Sequence, residues 1–355
     1  MHSICPDTAL TLSARPPAAS LVSPRRALAI LGLMLLAALA SLVIAAAVGS
    51  VAIAPRDWWP ALHDAMGTPA TMFGTLVDLR VTRAFSAMAT GAALSLAGLL
   101  LQALLRNPLA DPYVLGVSGG ASVGALAAML FAFTAWQVDV AAFVGAALAT
   151  VLLYGLARDD FRAGPAGGAP LLLLTGVVLA SGCGALVTLM LSIAPEGRLR
   201  GMVFWLIGDL SGGQARWLPW VAVVLALALC MTRARAINLI AMVSDHAASL
   251  GVNVPRLRML LFLCAAGLTA SAVTTAGSIG FLGLIVPHAC RFALGPDHRL
   301  LIPASALAGG TFLVLADTAA RSIVAPMQLP VGVITALIGV PAFLLQLRHI
   351  RRAGR

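Results

Sequence analysis

Residues 27–51 read ALAILGLMLLAALASLVIAAAVGSV, an apolar run that follows the basic pair Arg25 and Arg26. A membrane-spanning helix needs about 20 apolar residues, whereas the apolar core of a secretory signal has only about 7–15. The run therefore predicts an uncleaved first transmembrane helix. Residues 1–25, which are rich in Pro, Ala and Ser, are expected to form a disordered cytoplasmic tail ahead of it.

The rest of the chain has the same apolar character. Apolar residues make up 60% of the sequence and charged residues only 10%, and the mean hydropathy is +0.98. Soluble domains carry about 25% charged residues, so this chain cannot cover a water-facing surface. Apolar stretches recur at 27–50, 82–104, 114–135, 140–157, 171–193, 217–231, 259–276, 280–294, 301–324 and 331–347. They predict an all-α, polytopic membrane protein with about ten transmembrane helices in a single domain over 26–355, some of them short or broken near glycines.

The distribution of arginine predicts the orientation of these helices. Ten spans place both termini on one side, and sixteen of the 23 arginines fall on that side. Basic residues accumulate on the cytoplasmic side, so both termini are expected in the cytoplasm. All six Trp then lie near the opposite interface, where aromatic residues are common. The seven arginines on that opposite side are Arg56, Arg80, Arg83, Arg198, Arg200, Arg216 and Arg321.

Several functions are disfavoured by what the sequence lacks. All 23 basic residues are Arg, and a nucleotide-binding P-loop requires Lys. If ATP drives this protein, a separate chain must hydrolyse it. The arginines form no basic face for nucleic acid, and the five cysteines contain no C-x-x-C pair. We therefore expect no metal, no cofactor and no catalytic residue in this chain.

Several motifs follow one another in a fixed order along the chain. They are RVTR at 80–83, QALLRNPLADP at 102–112, FWLIGDLSG at 204–212, AASLGV at 247–252, GSIGFLGLIVPH at 277–288, ADTAAR at 316–321 and LPVGVITALIGVP at 329–341. Together they resemble the permease family of the ABC importers for iron–siderophore complexes, haem and cobalamin. The resemblance covers nearly the whole chain after residue 26.

The resemblance implies a membrane-spanning permease subunit in the bacterial inner membrane. It implies a homodimer of about twenty helices, two ATPase subunits on the cytoplasmic side and a periplasmic substrate-binding protein. The cargo would be a large metal chelate, with haem favoured over an iron–siderophore or cobalamin. An ion-coupled secondary transporter is the alternative, but it needs ionisable groups near the membrane centre, where Asp317 is almost alone. An intramembrane enzyme would need a nucleophile and base or a metal cluster, and neither is found.

The same resemblance assigns roles to three sets of residues. Arg80, Arg83 and Arg321 would dock onto carboxylates of the binding protein, although snorkelling anchors are the alternative for the first two. Asp317 precedes Arg321 by four residues, which on a helix allows a structural ion pair. Asp245, Ala247, Leu250 and Gly251, in a segment at about 240–256, would couple to the ATPase. Gly167, Gly168 and Ala169 would form a cytoplasmic gate.

For the coupling residues and the gate residues, a purely structural role is the alternative. The segment 232–258 is the most polar stretch on the cytoplasmic side and is predicted to hold short helices; a solvated loop is the alternative. The related family usually has Gly-Glu where this chain has Val243 and Ser244, so the polar contacts of the segment are left open. The gate stretch, GPAGGAP at 164–170, also suits an ordinary linker. His288 on an apolar helix is expected to be a packing residue rather than a haem ligand.

Overall fold

The computed structural model describes residues 23–162, 168–210, 217–242, 247 and 249–353. Over these ranges the chain forms helices and connecting turns, with no strand. The helices are α1 Pro24–Ala47, α2 Trp58–Ala65, α3 Met72–Leu105, α4 Val117–Leu130, α5 Ala135–Arg162, α6 Gly168–Ile193, α7 Glu196–Ile207, α8 Leu218–Met242, α9 Val254–Ala276, α10 Leu282–Leu294, α11 His298–Ser322 and α12 Val331–Ala353. Of the tail predicted over 1–25, residues 1–22 lie outside the described residues, and α1 begins at Pro24.

The helices agree with the predicted apolar stretches. Among the described residues, seven helices are long and apolar enough to cross a membrane, namely α1, α3, α5, α6, α8, α9 and α11. Shorter apolar helices occur at Val117–Leu130, Leu282–Leu294 and Val331–Gln346. The prediction of an all-helical, multi-span membrane protein is therefore confirmed. We call the end of the bundle where α1 finishes and α3 begins the far end, and the end where α1 begins the termini end.

Helix α3 is the centre of the bundle. Its most apolar stretch is entirely buried, and it packs against α1, α8, α9, α10 and α11. Small residues permit this, because a Cβ atom on Gly98 would collide with the carbonyl oxygen of Gly283 on α10, and one on Gly91 with the carbonyl of Gly309 on α11. Close approach at small residues is how helices associate without a hydrophobic driving force in lipid.

Helix α10 is short because its N-terminal end lies inside the bundle. Its 13 residues extend over only about 20 Å, and its first turn lies beside Gly98 of α3. Pro287 has no N–H to donate to the carbonyl of Gly283 four residues earlier. The amide of Gln102 on α3 donates to that carbonyl at 3.3 Å and to the carbonyl of Leu284 at 3.2 Å. Arg291 in turn donates to the Gln102 side-chain oxygen at 3.0 Å, so the irregular helix start is satisfied by its neighbours.

One expectation about the termini end was wrong. Short helices were predicted across 232–258, but α8 continues to Met242 and α9 begins at Val254. The cause is a buried stripe at Ala234, Ile237 and Ile240, which extends the packing face of α8. The exposed Arg233 and Arg235 lie off that stripe, so they add polarity without ending the helix. The connection itself spans only 243–253, and its described residues form turns.

Candidate functional site: a far-end arginine cluster and the termini-end connections

Two of the three predicted docking arginines share one carboxylate. Arg83 on α3 donates from Nε and Nη2 to the carboxylate of Asp317 on α11 at 2.8–3.1 Å. Arg321, one helical turn after Asp317, donates from Nε to the same carboxylate at 3.1 Å. The ion pair expected from the four-residue spacing is therefore present, and Arg83 makes it a three-residue cluster. Charge-assisted bonds of this kind are about twice as strong as neutral ones.

The third arginine binds the end of α1. Arg80 donates to the carbonyl oxygens of Ala46 and Ala47 at 3.3 Å and to that of Val51. The last carbonyls of a helix have no intrahelical donor and carry partial negative charge. A guanidinium there supplies the missing donors and a compensating positive charge. Arg321 adds a bond to the carbonyl of Ala45 at 3.3 Å. The far end of α1 is thus held by cations from α3 and α11.

All three arginines are buried, yet they line one cavity. Arg80, Arg83 and Arg321 are 5%, 9% and 5% exposed. With Ser50, Leu76, Leu79, Leu210 and Gln328 they surround a cavity of about 240 Å³ at the far end. Gln328 accepts from Arg83 at 3.1 Å, and Asp209 lies 3.8 Å from the same side chain. A partner's carboxylate would therefore have to enter this cavity rather than meet the arginines at an open rim.

The sequence alone indicated the three arginines and Asp317 but missed two members of this cluster. Asp209 belongs to the quoted FWLIGDLSG motif, so its position was visible, but nothing in the spacing connected it to Arg83. Gln328 precedes the LPVG motif in the turn after α11. Only the packing of α3, α11 and these two connections brings them together.

Three of the four predicted coupling residues, Ala247, Leu250 and Gly251, lie in the connection between α8 and α9, whose described residues form turns. Ala247 is buried, and its carbonyl accepts from the N–H of Val252 at 3.1 Å. Gly251 has φ +82°, a conformation that glycine adopts without strain. Leu250 at the tip is 59% exposed. Asp245 lies outside the described residues.

The predicted gate is only partly described. Gly167 lies outside the described residues. Gly168 and Ala169 are the first two residues of α6, and α5 ends at Arg162. Residues 163–167, between the two helices, lie outside the described residues. A gating role for these residues stays a prediction.

A second termini-end turn connects α3 to α4. Its carboxyl group, Asp111, accepts from the N–H of Tyr113 at 2.8 Å and caps the short 3₁₀ turn Pro112–Leu115. Burial raises the pKa of Asp111 to about 6. The hydrogen bond from the Tyr113 N–H lowers the pKa, but its effect is smaller than that of burial. This turn carries the NPLADP motif, for which sequence reasoning offered no role.

His288 occupies an apolar helix, as expected. It lies on α10 next to Pro287. Over the described ranges, no group of three or more His, Cys, Asp or Glu side chains is arranged to hold a metal ion. The expectation that His288 is a packing residue rather than a haem ligand stays a prediction.

The fold is that of a multi-pass membrane protein in which long apolar helices surround a central helix. Residues 34–349 match the model of the FecCD transport family. The chain belongs to that family.

The relatives of this chain are named as permeases for more than one kind of cargo. The chain is 43% identical over 303 residues to the cobalamin import system permease protein BtuC of Halobacterium salinarum, covering 82% of this chain and 79% of the relative. It is 37% identical over 333 residues to the hemin transport system permease protein HmuU of Yersinia pestis, covering 91% and 95%. A solved structure, an ABC transporter assigned to the metal-chelate type in an inward-facing conformation, has a TM-score of 0.78 at 27% identity and covers 91% of this chain and 99% of that chain.

Proposed function

We propose that this permease forms the transmembrane path of an ATP-driven importer of a large metal chelate in the bacterial inner membrane. The observation that carries the proposal most is the FecCD family match over 34–349. The far end would face the periplasm and the termini end the cytoplasm, which agrees with the excess of arginine at the termini end. Two copies would form the path. Because the chain contains no Lys, ATP hydrolysis belongs to a separate ATPase.

The alternative, an ion-coupled secondary transporter, is disfavoured by Asp317. An ion-coupling carboxylate must be free to exchange its ion during transport. The Asp317 carboxylate is held between Arg83 and Arg321 and is 1% exposed. Such a site suits structural support of the bundle rather than repeated protonation.

The far-end arginine cluster is the proposed contact for the periplasmic binding protein. The cavity places three cations together, and a partner's acidic side chain would enter between them. To test this, Arg80→Gln is compared with Arg56→Gln, since Arg56 is a highly exposed arginine of the same end. We expect Arg80→Gln to weaken binding of the binding protein about tenfold at low salt, with a smaller loss at high salt. If the binding protein binds the two variants with equal affinity, Arg80 has no role in docking.

The turn around Leu250 is the proposed contact for the ATPase. Leu250 presents an exposed apolar side chain at the tip of the turn, while the buried Ala247 and the positive φ of Gly251 fix the turn's shape. Asp245 would contribute near the same surface. Residues Gly167, Gly168 and Ala169 would close the path at the termini end, where α5 and α6 are joined.

The importer proposal is tested by reconstitution. The chain is purified alone and with its ATPase, placed in proteoliposomes with the binding protein, and offered haem, a ferric siderophore or cobalamin. We expect no ATP hydrolysis by the chain alone and ATP-dependent uptake of one chelate by the complete system, with haem the first candidate. ATP turnover by the isolated chain, or uptake driven by an ion gradient without ATPase, would contradict the proposal.

A further inference from the structure

The far-end cavity that the three arginines line carries more positive than negative charge. Arg80, Arg83 and Arg321 line it, and no Asp or Glu of the described residues does so. Two carboxylates adjoin this lining. Asp317 accepts from Arg83 and Arg321 at 2.8–3.1 Å, and Asp209 lies 3.8 Å from Arg83. Three guanidiniums next to two carboxylates leave a net positive charge at the cavity.

The segment that follows the lining residue Leu210 adds no negative charge. Residues 211–216 lie outside the described residues. Their sequence, SGGQAR, contains no Asp or Glu, and its one ionisable residue, Arg216, is a cation. The excess of positive charge near the cavity is therefore not removed by this segment.

Other carboxylates near the start of α3 have contacts elsewhere, and none of them lines the cavity. Asp57 lies 3.8 Å from Arg56, Asp64 accepts from the N–H of Thr71 at 2.9 Å, and Asp78 accepts from the hydroxyl of Thr82 at 3.4 Å. Arg80 and Arg321 are each only 5% exposed. Because a buried ion without a counterion strongly destabilises a protein, the cavity favours a monovalent anion.

The cavity also offers hydrogen-bond donors that no group in the described part of the chain accepts. Arg80 uses Nη1 and Nη2 on the carbonyls at the end of α1, which leaves its Nε. Arg321 donates from Nε and Nη2, which leaves its Nη1. Gln328 accepts from Arg83 with Oε1, so its amide nitrogen is a further donor at the cavity. An anion that bears oxygen atoms can accept from several of these donors at once.

We propose that this cavity binds a small, planar, monovalent oxyanion of the carboxylate type, such as acetate or bicarbonate, and that the acidic side chain of the binding protein displaces it on docking. The displacement rests on the docking role proposed above, whereas the anion site does not. A guanidinium presents two parallel N–H donors that match the two oxygens of a carboxylate. A halide lacks this pair of acceptors. The volume of about 240 Å³ accommodates such an anion.

Competition for the same donors differs from general screening by salt. Screening depends on ionic strength and not on the identity of the anion. A small oxyanion that enters the cavity, in contrast, should weaken docking even when the ionic strength is held constant. The binding protein would then dock less tightly wherever such anions are abundant.

The test is a calorimetric titration of acetate into the purified complex of the permease with its ATPase, in detergent. A large sulfonate buffer anion keeps the ionic strength constant, and chloride is the comparison. Arg80→Gln removes one cation, and the nearly isosteric Gln328→Glu places a carboxylate beside Arg83, where the Gln328 oxygen lies at 3.1 Å. Arg56→Gln is the matched control, because Arg56 is an exposed far-end arginine outside the cavity. Thermal unfolding of the purified permease is the second measurement.

We expect acetate to bind the wild type and Arg56→Gln equally, and to raise their unfolding midpoint by about 3 °C at ten times its dissociation constant. Arg80→Gln should bind acetate at least about tenfold more weakly, because a charge-assisted bond and the excess charge are both lost. Gln328→Glu should unfold at a higher temperature than the wild type without acetate and should not respond to acetate.

Three results would overturn the proposal. The first is equal acetate binding by the wild type, Arg80→Gln and Gln328→Glu. The second is a Gln328→Glu protein that is less stable than the wild type or that still responds to acetate. The third is a response to chloride as large as that to acetate, which would replace the oxyanion by a halide.

The docking role is measured separately with the binding protein. Acetate at ten times its dissociation constant should weaken binding of that protein to the wild type about tenfold at constant ionic strength. If acetate binds as expected but neither acetate nor Arg80→Gln changes the affinity of the binding protein, docking at this cavity fails and the anion site stands. If Arg80→Gln weakens docking but acetate does not bind, the anion site fails and the docking role stands.

Discussion

Arg83 and Asp317 lie 234 residues apart in the chain, and three contacts of 2.8–3.1 Å join their side chains between α3 and α11. Arg321 completes the cluster from the next turn of α11. The central helix of the bundle is therefore fixed to a helix near the C-terminal end by charge as well as by packing. The cluster also presents the arginines that line the far-end cavity.

This relationship predicts a large loss of stability when Asp317 is removed. Asp317→Ala leaves two buried guanidiniums without their shared carboxylate. Removing one partner of a buried ion pair typically destabilises a protein by about 3–5 kcal/mol. We expect the free energy of unfolding in detergent micelles to fall by that amount.

The matched control is an exposed ion pair at the same end. Arg56 and Asp57 lie 3.8 Å apart, with side chains 88% and 35% exposed. Exposed pairs contribute about 0–1 kcal/mol, so Asp57→Ala should change stability little. Similar losses for Asp57→Ala and Asp317→Ala would show that the buried cluster is not a special source of stability.

Close packing at Gly98 predicts that two Gly→Ala substitutions will differ in their effect on the thermal unfolding midpoint. A Cβ atom on Gly98 would collide with the backbone of Gly283, and a backbone atom cannot rotate away. Gly98→Ala should therefore separate α3 from α10 and lower the thermal unfolding midpoint. Gly267→Ala on α9 is the control, because nothing lies within 4 Å of a Cβ there and Ala favours a helix by about 1 kcal/mol over Gly. The same response to both substitutions would contradict the close approach.

Much of this fold was predictable from the sequence, because in a membrane the apolar stretches are the helices. The first span, the central helix and the ion-pair spacing of Asp317 and Arg321 all follow from local pattern. The burial of Arg80 does not, because it depends on where α1 ends against α3. Nor does the support of α10 around Pro287, because Gln102 on another helix donates to the Gly283 carbonyl that Pro287 leaves without its usual donor.

The turn between α3 and α4 predicts a dependence of stability on pH. Burial raises the folded-state pKa of Asp111 from 3.8 to about 6. Between these values the folded state binds more protons than the unfolded state, so stability falls as pH rises from about 4 to about 6 and then stays low. Asp111→Asn keeps an oxygen for the Tyr113 N–H and has no proton to lose. We expect its stability to exceed that of the wild type by about 1–3 kcal/mol at pH 7.

The measurement for Asp111 is thermal unfolding of both proteins at several pH values. The advantage of Asp111→Asn should shrink as pH falls below 6 and disappear near pH 4, where both proteins are neutral at this position. A constant difference across that range would show that Asp111 does not titrate with the raised pKa.

The turn between α8 and α9 predicts a separation of folding from coupling. Leu250 is 59% exposed, so Leu250→Glu should leave the unfolding midpoint of the isolated chain within a degree or two of the wild type, as surface substitutions usually change stability by less than about 0.5 kcal/mol. Against a partner, the same charge would be buried without a counterion, which weakens binding by several kcal/mol. We expect lost co-purification of the ATPase, or ATP hydrolysis without transport. Ile323→Glu is the control, because Ile323 is at least as exposed, at 67%, but lies at the far end. If Leu250→Glu assembles and transports like Ile323→Glu, the turn has no role in coupling.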